Sequence, residues 1–153
     1  MTGVTVDRRW FVPLVLTLAA ACGRAPSPED EIREVVAGAE AAAEARDAMA
    51  LRRLVADDYR DARGNGAEDI RRTVHGYLLA HQSVHLLVKI EEITFPATRL
   101  ARLRATVAMV GKEAEGALAW DLAADVYEFD ITLAQEGGDW RVARADWRPA
   151  LGR

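Results

Sequence analysis

Two hydrophobic periods follow one another along the chain. Ile32, Val35, Val36, Ala39 and Ala43 recur at helical spacing, and Ser27-Pro28-Glu29-Asp30 stands before them. A serine N-cap, a proline at the first helical position and an acid at the third predict a helix running to about Arg46. Its alanines and glutamates are strong helix formers, and an alanine-rich face lets a helix lie close against a sheet. Asp47 is placed to cap a second, short helix to about Asp57, with Leu51, Leu54 and Val55 on one side. The stretch 57–66 leaves helical spacing, and a short strand is expected there before the Gly64-Asn65-Gly66 turn. A third helix is predicted over about 67–82. Its face is the clearest in the chain: Ile70, Val74, Tyr77, Leu78 and His81.

The period then changes to two. Val84, Leu86, Val88 and Ile90 alternate with polar or outward positions, and Glu91-Glu92 shifts the phase before Ile93 and Phe95, which predicts a bulge. Pro96 ends that strand. Leu103, Ala105, Val107 and Met109 alternate in a second strand extending toward Glu113, and Tyr127, Phe129, Ile131 and Leu133 in a third. "QEGGDW" (135–140) is a hairpin turn, after which Trp140, Val142, Arg144 and Asp146 alternate to Pro149. Unbroken alternation places Trp147 on the face opposite Trp140, so one tryptophan should face inward and the other outward. Three helices followed by four antiparallel strands predict an α+β fold with the helices on one face of the sheet.

The amino-terminal segment is of another kind. Trp10–Ala21 is a 12-residue, mostly apolar run containing Pro13, too short for a span of about 20 residues. Arg8 and Arg9 before it and small residues after it have the layout of an export signal. "LTLAAAC" (16–22) resembles the lipobox of bacterial lipoproteins, with Ala19 where leucine is preferred and Leu18 one place earlier. The resemblance implies that residues 1–21 are a lipoprotein signal peptide. Cys22 would then receive a diacylglyceryl thioether, become the amino terminus and be N-acylated with a fatty acid such as palmitate. Residues 22–28 would be a lipidated tether and 29–150 the folded domain. Localisation follows: a cell-envelope protein facing the periplasm, membrane-bound through its lipid. Gly23 after the cysteine favours the outer membrane by the enterobacterial sorting rule. With one cysteine, no internal disulfide can form.

Removing residues 1–21 takes 20 basic and 24 acidic residues to 18 and 23, so the net charge moves from −4 to −5. Both signs are interspersed. No basic cluster tracks a phosphate backbone, so nucleic-acid binding is not expected.

The order of elements, with "EDEIREVVAGAEAAAEARD", "ALRRLVADDYRD", "GAEDIRRTVHGYL" and "DITLAQEGGDWRVARADWRP", resembles nuclear transport factor 2-like domains. That fold is a cone shared with ketosteroid isomerase and the SnoaL-like cyclases. The resemblance covers about 29–149. It implies a strongly bent sheet wrapped round the helices, with an apolar cavity at the open end. Enzymes of this group place polar groups in that cavity; the isomerase uses a carboxylate base, a tyrosine and a protonated aspartic acid. Setting "LVADD" on the corresponding isomerase stretch puts the base at Arg63, two residues beyond Asp61, and the tyrosine near Ala39. Neither role has a matching residue.

Other chemistry is equally thin. Ser27 and Ser83 lack a nucleophile signature. His75 and His81 lie about 240° apart round a helix, and His85 is beyond its end, so no metal site is expected. "GNG" has no lysine and no preceding strand to make a phosphate loop. No cofactor is called for. Trp120, Asp121 and Asp125 are assigned to an edge or loop without a role.

The candidate ligand-binding residues are therefore polar-tipped side chains on inward faces. They are Tyr77 and His81 on the third helix, Tyr59 and Asp61 at the passage bordering the cavity mouth, Tyr127 beside Phe129 and Ile131, and Trp147. Plain core packing accounts for many such aromatics. The favoured function is a non-enzymatic module that binds a small apolar ligand or a protein partner. The alternative is a SnoaL-like isomerase, cyclase or hydrolase with Asp61 or His81 as general base. A homodimer is expected through the outer sheet face, where Arg102, Arg104, Thr106 and Ala108 would meet Glu128, Asp130 and Thr132.

Overall fold

The computed structural model describes residues 25–113 and 124–150. Cys22, the signal and most of the tether lie outside them, as do Trp120 and Asp121. Three helices, α1 (Pro28–Glu44), α2 (Ala48–Arg53) and α3 (Ala67–Ala80), precede four strands, β1 (His81–Ala97), β2 (Leu100–Glu113), β3 (Ala124–Glu136) and β4 (Asp139–Pro149). The strands form one antiparallel meander in the order β1-β2-β3-β4. The helices pack on one face of this sheet, α1 chiefly against β1 and α3 beside it. No helix among the described residues is long and apolar enough to cross a membrane.

Local chemistry starts each helix. Ser27 Oγ accepts from the Asp30 backbone N–H at 3.2 Å, and the Asp30 carboxylate accepts from the Ser27 N–H at 3.0 Å. This reciprocal pair satisfies two donors that a helix start leaves open. Asp47 caps α2 through the Ala50 N–H at 2.9 Å. α1 stops two residues earlier than the sequence predicts, because Arg46 adopts a left-handed conformation with φ 56°. Its guanidinium donates to the Leu78 carbonyl at 2.6 Å and the Gln82 carbonyl at 3.4 Å. A cation there answers the unpaired carbonyls and negative dipole end of α3, an interaction that helps offset the cost of a non-glycine residue at positive φ.

Three further features differ from expectation. α2 ends at Arg53, not near Asp57. The 57–66 stretch makes only an isolated bridge, Arg60 to Gly66, in place of a strand. α3 ends at Ala80, and His81 is already extended, with φ −119° and ψ 132°. His81 is thus the first residue of β1 and not the last turn of a helix face.

The core lies between α1 and the middle of the sheet. Ile32, Ala101, Leu103, Ala105, Leu133 and Trp140 are buried together, with Val35, Val36, Ile90, Ile93, Ile131 and Val142 packed around them. Two bulges keep this face apolar. In β1 the register passes from Ile90–Ala105 to Glu92–Arg104, so Glu91 is extra and Ile90 and Ile93 both point inward. That slip is the one Glu91-Glu92 predicts.

In β4 the register passes from Leu133–Val142 to Thr132–Arg144, so Ala143 is extra. This second bulge corrects the expectation for the tryptophans. Gln135 faces Trp140, Ile131 faces Ala145 and Phe129 faces Trp147. Since side chains alternate along β3, Trp140 and Trp147 are on the same, helix-facing side. Arg102, Arg104 and Thr106 face Thr132, Asp130 and Glu128 on the other side.

Leu78 and Leu79 are neighbours with opposite surroundings, 5% and 65% exposed. Leu78→Ala should cost roughly 2–5 kcal/mol of stability, as truncation of a buried leucine does. Leu79→Ala should stay within about 0.5 kcal/mol, as surface changes do. Urea unfolding of the two variants side by side measures the difference.

Candidate functional site

The wall of the cone is assembled by a strap, residues 54–62, that lies along the free edge of β4. Val142 donates to the Leu54 carbonyl at 2.7 Å and accepts from the Ala56 N–H at 3.0 Å, while Arg60 N donates to the Ala143 carbonyl at 3.1 Å. Ala62 N donates to Asp146 Oδ1 at 2.9 Å. An edge whose backbone groups are answered in this way is closed to further strands. The strap carries two of the six candidate residues, and both are used to build it.

Tyr59 is 1% exposed and donates its hydroxyl to the Ala145 carbonyl at 3.1 Å. Desolvation, then the charge of Asp61, pushes its phenol pKa up, so it is a fixed neutral donor. Asp61 is 6% exposed. Its Oδ1 accepts from the backbone N–H groups of Arg63 at 2.9 Å and Asn65 at 2.8 Å, and its Oδ2 accepts from Asn65 Nδ2 at 2.7 Å. Asp61 therefore closes the 61–66 loop as a side-chain-to-backbone turn. Burial pushes its carboxyl up, but the bonds from Asn65 and Arg63 together outweigh that and hold it below its ordinary value.

The other four fall at the end of α3, at the start of β1, and on the helix-facing side of β3 and β4. Tyr77 stacks on His81 with ring centroids 4.1 Å apart and planes 27° apart. His81 Nδ1 donates to the Tyr77 carbonyl at 2.9 Å, which puts the proton of a neutral ring on Nδ1 and leaves Nε2 as an acceptor. Desolvation first, then Asp125 and Tyr127, raises the Tyr77 phenol pKa. Tyr77, Asp125 and Tyr127 are thus electrostatic neighbours.

From Tyr127 an aromatic row continues along the inner face. Tyr127 meets Phe129 edge-on at 6.4 Å, and Phe129 stacks with Trp147 at 6.1 Å and 24°. The Arg63 guanidinium lies over the Trp147 ring, 4.6 Å from its centroid.

Phe129 and Arg63 belong to this site and were not singled out by sequence. Phe129 reads as an ordinary core residue, and Arg63 lies in a loop whose path the sequence leaves open. The alternation of Phe129 with Tyr127 and the setting of Arg63 on the isomerase base position were the available signals. Asp125, assigned to an edge or loop without a role, stands close enough to act on Tyr77. Among the described residues no group of three His, Cys, Asp or Glu is placed to hold a metal.

The outer face has a depression of its own, about 760 Å³, floored by the Ala105, Phe129 and Trp147 segments of the ladder and edged by charges. Those charges largely answer one another: Arg104 with Glu92 at 2.9 Å, Arg144 with Asp146 at 2.7 Å, and Arg148 Nε with Glu128 at 2.8 Å. On the inner face, beside the aromatic row, the Tyr77 and Tyr127 hydroxyls have no hydrogen-bond partner among the described residues.

No protein-family model matches the chain, and no curated protein matches it in sequence. Solved structures do match in shape. A candidate scytalone dehydratase of Novosphingobium aromaticivorans shares 14% identity at a TM-score of 0.70, covering 80% of this chain and 84% of that one. A candidate dehydratase of the NTF2-like family from Streptomyces avermitilis shares 10% at 0.68, over 81% and 97%. A protein of Planctomyces limnophilus shares 18% at 0.66, over 79% and 96%.

The fold is the NTF2-like cone. At these identities the likeness carries the architecture alone.

The Asp61 turn has a pH signature. A carboxyl held below its unfolded value of 3.8 contributes stability that is fully present above that value and is lost as pH falls through the folded pKa. Asp61→Asn puts amide donors against the N–H groups of Arg63 and Asn65. It should lower the melting temperature at neutral pH and flatten the fall in stability below about pH 4. Melting curves of wild type and variant across acid pH test both effects.

Proposed function

We propose that this chain is a lipid-anchored cell-envelope domain whose NTF2-like cone binds a small, largely apolar ligand without transforming it. The observation that carries the reading is the use made of the would-be catalytic groups. The Asp61 carboxylate accepts three hydrogen bonds from its own loop, and the Tyr59 hydroxyl is spent on a backbone carbonyl. A general base needs a lone pair within reach of the proton it takes, and Asp61 faces its own turn. The aromatic row from Tyr127 to Trp147 supplies an apolar wall. The lipid anchor is supported by the "LTLAAAC" stretch ending at Cys22.

A second reading is kept open by one group. The His81 and Tyr77 rings are stacked, with Asp125 acting on Tyr77, and they are the place from which a SnoaL-like enzyme would work. The outer face is where we expect self-association, since it carries the exposed Leu87 beside Ala108, and a two-fold axis would bring two such patches together.

Native mass spectrometry of the protein purified from its natural host distinguishes these readings. An unmodified apolar compound carried by wild type supports binding, and the same spectrum reports the oligomer. Conversion of that compound by wild type, abolished in His81→Leu, would overturn the non-enzymatic reading. For the anchor, Cys22→Ala should move the protein from the detergent phase to the aqueous phase. A variant that still pellets with membranes in high salt contradicts lipid attachment, because acyl chains are the proposed means of binding.

A further inference from the structure

We propose that the cone's ligand is a flat aromatic carboxylate, its charge on Arg63 and its ring beside Trp147 and Phe129. This rests on the cavity reading above and adds the chemical class of the ligand and its direction in the site.

The Arg63 guanidinium is held over the indole of Trp147 at 4.6 Å. Stacking uses the face of a guanidinium and leaves the N–H donors along its edge open, in the fork that matches a carboxylate. Among the described residues that fork has no hydrogen bond or ion pair; Arg53 and Arg102 share this, and it is the placement over an indole that sets Arg63 apart. Asp61 is the acid beside Arg63, and it is occupied elsewhere: its oxygens take the Arg63 backbone N–H and both Asn65 donors. Asp61 thus fixes the backbone from which the Arg63 side chain departs without filling its fork.

The opposite end of the row sets the direction. Asp125 and Tyr127 share the inner side of β3, opposite Met109 and Val107, and the Asp125 charge joins burial in raising the Tyr77 phenol pKa. An anion is disfavoured there and favoured at Arg63. Between the two ends, Phe129 and Trp147 are stacked at 6.1 Å and 24°, a surface that suits a flat ring over a branched or globular one. A cation at one end, aromatic rings in the middle and a carboxylate with a phenol at the other describe an amphipathic, oriented site.

The test uses the purified full chain with two probes of the same shape, 2-naphthoate and the neutral 2-naphthamide, titrated by calorimetry at low and high salt. Wild type should bind the naphthoate about tenfold or more tightly than the amide, since a charge-assisted pair is roughly twice as strong as a neutral one. Added salt should narrow the gap. In Arg63→Gln the preference should vanish, the naphthoate losing far more affinity than the amide, and Trp147→Leu should weaken both probes. Arg63 is exposed, so its variant keeps the fold, and an unchanged melting temperature shows that it does. Equal binding of the two probes by wild type, or a preference that survives Arg63→Gln, overturns the carboxylate inference and leaves the cavity reading standing. Failure of wild type to bind either probe removes the cavity reading, and this inference with it.

Discussion

One extra residue in β4 decides which side chains face the interior. Ala143 has no opposite number on β3, where Leu133 pairs with Val142 and Thr132 with Arg144. A bulge of this kind bends its strand and resets the side-chain phase. Without it, Trp147 would point to the charged outer face and Arg148 into the apolar wall. With it, Trp140, Val142, Ala145 and Trp147 share one side. The same residue is a docking point for the strap, whose Arg60 N–H meets the Ala143 carbonyl while Leu54 and Ala56 take up Val142. The bulge therefore places Trp147 directly, and it places Tyr59, Asp61 and Arg63 through the strap.

The opposite edge is managed by different means. The β1 bulge at Glu91 returns Ile93 to the core after Ile90, and α1 reaches over the free edge. Glu40 accepts from the Val88 N–H at 2.9 Å, and Glu44 meets His85 Nδ1 at 3.4 Å. Helix and strap close the two edges that an open four-stranded sheet would otherwise present. Among the described residues, neither helix nor strap covers the end with Tyr77, His81, Asp125 and Tyr127, or the outer face, where Leu87 is 70% exposed.

The elements of the fold were legible because each wrote a strong pattern. Ser27-Pro28-Glu29-Asp30 states a helix start, "EGGD" states a hairpin with both glycines at positive φ, and two adjacent acids betray the β1 slip. The β4 slip is silent for a physical reason. Ala143-Arg144-Ala145 alternates small and charged residues whichever way the strand is phased, and alanine is tolerated on either face. The run Trp140, Val142, Arg144, Asp146 therefore read as unbroken, and Trp140 and Trp147 were set on opposite faces. His81 misled in a similar way: its spacing from Tyr77 fits a helix face, but the helix ends at Ala80 and the ring reaches back to the Tyr77 carbonyl.

The site was harder to read than the fold. Tyr59 and Asp61 were picked out for sitting at the cavity border, and no local pattern says that a carboxylate will be consumed by Asn65 four residues on. Arg63 and Phe129 become visible only when the strap is laid on β4 and the bulge is counted. The most direct check is a nuclear Overhauser spectrum of the protein centred on the Trp147 indole. This account predicts cross-peaks to the Phe129 ring and the Arg63 side chain, with Ile131 opposite Ala145 across the strands. Cross-peaks from the indole to Arg104, Thr106 or Glu128 on the outer face would contradict it.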